Sequence, residues 1–133
     1  LKRVGKPPFV FIKGENNMKD KIIHIETENK NYPLVFNLNV MEELQEKYGT
    51  IQKWGEVVES GEEPKIKDLK YGLMVMINEG IDIENESRDK KEPFLTSKQV
   101  GRLISEVGFE KIIEDIKNIT KKSTETGEEP KNM

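Results

Sequence analysis

Residues 32–54 read YPLVFNLNVMEELQEKYGTIQKW and, after an acidic, Pro-containing break, residues 67–80 read KDLKYGLMVMINEG. The first run begins as a strand and becomes a helix. Leu34 and Phe36 keep a period of two, and Pro33 suits the first residue of a strand or a sheet edge. Asn39 is placed to cap a helix, with Glu42 three residues on completing a box-like N-terminus. Val40, Met41, Leu44 and Tyr48 then line one face, and Gly49 fits the left-handed stop after the last turn. Thr50 restarts a short helix with Ile51, Trp54, Val57 and Val58 on one side, which the break at 59–64 ends.

The second run has a different character. Leu69, Tyr71, Leu73, Met74, Val75, Met76 and Ile77 point nearly all round the axis of a helix over 68–79. A helix that is apolar on every face is normally surrounded by protein. A domain this small has few internal elements with which to surround one, so this helix is either its central core element or, at the domain's edge, a core helix that also packs part of its surface against another chain. Its methionines suit a surface that adapts to another chain.

The neighbouring segments complete the domain. Upstream, Ile23 and Ile25 alternate with His24 and Glu26, and 28–31 is a polar turn, so 23–36 reads as a β-hairpin. A lone hairpin is marginal and needs a helix over its apolar face. Downstream, 82–93 is charged and loop-like. Thr96 with Gln99 forms a second capping box, and Val100, Leu103, Ile104 and Val107 follow at helical spacing up to Gly108. Phe109, Ile112, Ile113, Ile116 and Ile119 make the cleanest amphipathic stripe in the chain. The expected architecture is α+β and mainly α: an N-terminal β-hairpin followed by about five short helices in one domain over 18–120. Residues 121–133 read as a disordered polar tail.

Residues 1–17 form either a flexible arm or a non-native extension. Lys13–Met18 can be encoded AAA GGA GAA AAT AAT ATG, which sets a purine-rich GGAG box before an ATG and points to Met18 as the start. This segment carries Lys2, Arg3, Lys6 and Lys13 against Glu15, while the whole chain of 133 residues has a net charge of −3. The rest is therefore strongly acidic, and such a surface repels a phosphate backbone. With 34% hydrophobic and 35% charged residues, the core is lean and the surface heavily charged. The absence of cysteine excludes disulfides, thiolate metal sites and thiol catalysis. No apolar run approaches the roughly 20 residues a membrane span requires. These features lead us to expect a soluble, cytoplasmic protein.

Candidate chemistry is sparse. His24 is the single histidine and has no acidic or nucleophilic partner at a meaningful spacing. Asp82, Glu84 and Glu86 have the alternate spacing of a calcium loop. Ser87 stands where that loop needs glycine, however, and Pro93 where it needs the bidentate glutamate, so no metal is expected. Neither G-x-x-x-x-G-K-[ST] nor G-x-G-x-x-G occurs. Residues 95–116 imitate a helix-turn-helix, but the second helix would offer Glu110, Glu114 and Asp115 against Lys111 and Lys117. No residue pattern supports an enzyme, and neither a cofactor nor nucleic acid is expected. The partner-binding candidates are Trp54, Tyr71, Met74 and Met76, selected by apolar surplus alone.

The order and apolar placement of these segments carry a family resemblance. YPLVFNLNVMEELQEKYG, a second short helix with Trp54, then IKDLKYGLMVMINEG and LTSKQVGRLISEVGFEKII resemble the tail assembly chaperones of long-tailed phages and prophages of Gram-positive bacteria. The likeness spans roughly residues 22–119. It implies a small, mostly helical, non-catalytic protein of the host cytoplasm, absent from the mature virion. Such a protein would keep the tape-measure protein soluble and recruit tail-tube subunits. The family often adds a longer frameshifted product, and Pro130-Lys131-Asn132 can be encoded with the slippery string A AAA AAT. Self-association is open alongside these partners. The rival readings are a small acidic DNA-binding or regulatory protein built on the 96–119 helix pair, and a structural virion subunit.

Overall fold

The computed structural model describes residues 21–59 and 65–128, with side chains through residue 122. Strand β1 (Ile23–Glu26) pairs antiparallel with β2 (Asn31–Leu34), setting Ile23 against Leu34 and His24 against Pro33. Both strands of a two-stranded sheet are edges, which is why a proline is tolerated inside β2. The turn closes through Thr27, whose backbone N–H donates to the Lys30 carbonyl at 3.1 Å. Five helices follow: α1 (Leu38–Tyr48), α2 (Ile51–Glu59), α3 (Ile66–Asn85), α4 (Ser97–Val107) and α5 (Phe109–Glu128). The hairpin followed by five helices matches the expected α+β, mainly α architecture.

Three boundaries differ from the sequence expectation. The cap of α1 is Asn37, two residues before Asn39: its Oδ1 accepts from the Val40 N–H at 3.1 Å. Its Nδ2 meanwhile donates to Glu79 Oε2 at 2.8 Å, so one side chain both starts α1 and ties it to α3. The second difference lies in α3, which runs on through Asp82 and Glu84 to Asn85. Those two carboxylates are therefore on a helix and not in a loop. Among the described residues, no group of acidic or histidine side chains could hold a metal ion. Third, α5 continues to Glu128, into the segment whose composition reads as a tail. The expectations for residues 1–17 and for 129–133 lie outside the described residues.

The stops and starts follow local chemistry. Gly49 takes φ +90° and donates to the Gln45 carbonyl at 2.8 Å, which ends α1. Thr50 Oγ1 accepts from the Lys53 N–H at 2.9 Å and opens α2. Thr96 and Gln99 form the reciprocal capping box, at 3.3 and 2.8 Å.

Helix α3 is the axis of the fold, packed by β2, α1, α2 and α4, while α5 lies on α4 and β1. Leu69, Leu73, Met76 and Ile77 are fully buried with Ile25, Leu34, Val40, Leu44, Val100, Ile112 and Ile119. Four elements thus cover most of a helix expected to outrun its cover. Glycine makes two of these approaches possible. At Gly80 an added Cβ would fall 2.8 Å from Pro33 Cβ, so β2 crosses directly on the helix backbone. At Gly72 it would fall 2.2 Å from Trp54 Cζ2, so the indole of α2 rests on the same helix about 12 Å away.

Candidate functional site

The α3 surface that these elements leave uncovered runs along α1. Tyr71 and Met74 on α3 are half-buried, and from Met74 onward residues of α1, α3 and the loop before α4 line a groove of about 320 Å³. Val40 and Glu43 of α1, Met74, Val75, Glu79 and Asp82 of α3, and Phe94 line it, with Asn39 and Asn78 between them. The floor is thus apolar and the rim carries three carboxylates, with no lysine or arginine in the lining.

Phe94 is held in place by its loop. Asn78 Nδ2 donates to the Leu95 carbonyl at 3.1 Å, and the Leu95 N–H donates back to Asn78 Oδ1 at 2.8 Å. Two helical turns later Asn85 repeats the arrangement with Glu92, at 3.0 and 2.9 Å. Both amides use donor and acceptor against the backbone, so the loop lies along α3 as if it were a strand pairing with side chains. Lys30 adds a 2.8 Å ion pair to Glu92, and Lys91 Nζ donates to the Asn85 and Arg88 carbonyls near the C-terminus of α3. Between these fixed points Leu95 packs on the core while Phe94 stays 54% exposed. Leu38, Ile66 and Phe109 are the other large apolar side chains on the surface of the described residues, and none of them lines the groove.

The electrostatics of the rim are one-sided. Glu79 Oε2 accepts from the amides of Asn37 and Asn39, at 2.8 and 2.9 Å. Neutral donors hold this carboxylate without cancelling its charge. Among the described residues no ion pair involves Glu43, Glu79 or Asp82. One turn before Met74, the Tyr71 ring meets Tyr48 edge-on at 6.1 Å and carries Lys47 Nζ 4.0 Å above its centroid. Burial raises the Tyr71 phenol above its ordinary pKa, and the charges of Glu43 and Glu46 raise it further. Tyr48 donates to Asp68 Oδ1 at 2.6 Å; burial raises its phenol most, followed by that bond and the Asp68 charge.

The four residues selected by apolar surplus therefore separate. Met76 is fully buried and Trp54 is 5% exposed, so both belong to the core. Trp54 Nε1–H donates to the Asp68 carbonyl at 3.0 Å, which satisfies its polar atom inside the fold. Met74 lines the groove and Tyr71 lies one turn away on the same strip. Phe94 was missed because it sits in a charged, aperiodic segment. A usable signal was present: Asn78 and Asn85 stand seven residues apart on an apolar helix, where they need backbone partners.

In sequence His24 has no acidic partner at a meaningful spacing. In the fold its Nε2 lies 3.0 Å from Glu84 Oε2, a pairing 60 residues apart in sequence, and Arg88 shares that carboxylate at 3.1 Å. On the helix pair 96–119, Lys111 is bonded to Asp115 at 2.6 Å and Lys117 lies 3.8 Å from Glu59. Both lysines that the rival DNA-binding reading would need against phosphates are therefore beside carboxylates.

No helix among the described residues is long and apolar enough to cross a membrane. No protein-family model matches the chain, and no curated protein or solved structure matches it.

Proposed function

We propose that this protein is a non-catalytic tail assembly chaperone of a long-tailed phage or prophage. In the host cytoplasm it binds the tape-measure protein, keeps that protein's apolar helical segments soluble and recruits tail-tube subunits. It then leaves before the virion is complete. The resemblance of residues 22–119 to that family supplies the class.

The observation that carries the reading is the acid-rimmed groove with Met74 in its floor and Phe94 held open beside it. Two reciprocal amide clamps, Asn78 on Leu95 and Asn85 on Glu92, fix the loop that carries Phe94, so the groove has a set aromatic wall. A groove between two helices suits a third helix laid into it by its apolar stripe. Methionine lets one floor accept several stripe sequences. Acidic surroundings keep the loaded complex in solution.

The test is co-expression with the tape-measure protein of the same phage. The reading expects the client to move from the insoluble to the soluble fraction and to co-purify with this chain. An unchanged pellet with nothing co-purifying overturns it. Persistence of the chain in purified virions would favour a structural subunit instead.

A further inference from the structure

The groove has a length, a charge and an end wall, and together these describe its occupant. Met74, Asn78 and Asp82 stand on successive turns of α3, which makes the groove about 12 Å long. That length takes two apolar side chains one turn apart on an incoming helix, and the pinned Phe94 supplies an aromatic wall for one of them. Glu43 on the α1 side and Glu79 and Asp82 on the α3 side surround that apolar floor. Glu79 is already held by Asn37 and Asn39. Glu43 and Asp82 have no cationic partner among the described residues.

We propose that the α1–α3 groove docks a basic amphipathic helix of the client, with two apolar residues against Met74, Val75 and Phe94 and flanking Lys or Arg side chains paired with Glu43 and Asp82. This rests on the chaperone reading and specifies which client segments it takes. An apolar helix with acidic flanks would meet like charge on both sides of the groove, which excludes it by repulsion.

The probe is a synthetic helix of leucine and lysine, about 18 residues and so about 27 Å long, compared with a leucine–glutamate counterpart. Full-length chain should bind the lysine peptide at least about tenfold more tightly than the glutamate peptide. Glu43→Lys with Asp82→Lys should reverse that order, and Phe94→Ala should weaken the lysine peptide by about tenfold. Unchanged melting temperatures establish that the variants fold.

Equal binding of the two peptides overturns the proposal, as does binding that the groove variants leave intact. So does a tenfold gain in lysine-peptide affinity on reversing Lys2, Arg3, Lys6 and Lys13, which would make the chain's own basic segment the occupant. Loss of a wild-type dimer in Glu43→Lys/Asp82→Lys would assign the groove to a second copy and overturn it equally. Co-expression separates the two levels. If Glu43→Lys/Asp82→Lys still solubilises the tape-measure protein, the groove assignment fails and the chaperone reading stands. If the wild type binds the peptide in the groove yet leaves the client insoluble, the chaperone reading fails.

Discussion

The Trp54 indole rests on the backbone of Gly72, where a Cβ would stand 2.2 Å from Cζ2 and 2.5 Å from Cε2. Alanine ordinarily improves on glycine in a helix by about 1 kcal/mol. Here the overlap decides the sign, because the bond from Nε1 to the Asp68 carbonyl prevents the ring from sliding away. Gly72→Ala should cost about 1–3 kcal/mol in denaturant unfolding, and Trp54→Leu in that background should return part of the loss. Gly101→Ala is the contrast. Its nearest neighbours are the flexible end of Lys70 at 3.3 Å, so it should be neutral or stabilising by about 0.5–1 kcal/mol. A Gly72→Ala protein as stable as wild type contradicts the packing.

The Asn85 amide is the second fixed point. It bonds both backbone groups of Glu92, so Asn85→Ala should cost about 1–3 kcal/mol and speed amide exchange at Glu92. Cleavage near Lys90 and Lys91 should rise with it. If Phe94 owes its placement to this clamp, client binding falls in Asn85→Ala even at temperatures where the protein stays folded. Full binding by a variant whose loop exchanges freely would refute the role given to the clamp.

Alkaline pH should destabilise the fold through Tyr48 and Tyr71. Both phenols are held above the ordinary value of 10.0, by burial first, so the folded state favours their neutral form. Their contribution is complete below pH 10 and is lost as the pH rises past the unfolded value toward the folded ones. Lys111 acts in the same direction, its pKa raised by the bond to Asp115. Tyr48→Phe should lower stability at pH 8 and flatten its decline above about pH 10. A variant with an undiminished alkaline slope would place the titration elsewhere.

Asp115 is buried on α5, and its Oδ2 has no hydrogen-bond partner. Lys111 is the single ion-pair partner of its carboxylate among the described residues, at 2.6 Å. Removing the lysine strands the charge, and Lys111→Met should cost about 1–3 kcal/mol. Lys111→Met with Asp115→Leu should recover most of it, since apolar replacement of a buried pair is often neutral or better. A double variant no more stable than Lys111→Met would contradict this.

The elements were legible in the sequence wherever local chemistry fixed them. The two-residue alternation at 23–26, the Gly49 stop, the Thr96–Gln99 box and the stripe from Ile112 to Ile119 all depend on neighbours within a turn or two. What was not legible depends on distant partners. The all-round apolar character of 69–77 could not be divided into core and surface, because the division is made by Trp54 crossing at Gly72 and Pro33 at Gly80. Asn37 is the cap in place of Asn39 because its Oδ1 reaches the Val40 N–H, while both amides donate to Glu79, about 40 residues away in sequence. Phe94 had no periodic context, and its position follows from Asn78 and Asn85 far upstream.

Methyl NMR of the labelled methionines tests the central claim most directly. Met74 lines the groove and Met76, two residues on, is fully buried on the other side of the same helix. On adding the tape-measure protein, the account predicts that the Met74 methyl resonance shifts or broadens while that of Met76 holds its position. Saturating client with Met74 unmoved, or with both methyls moving alike, would contradict it.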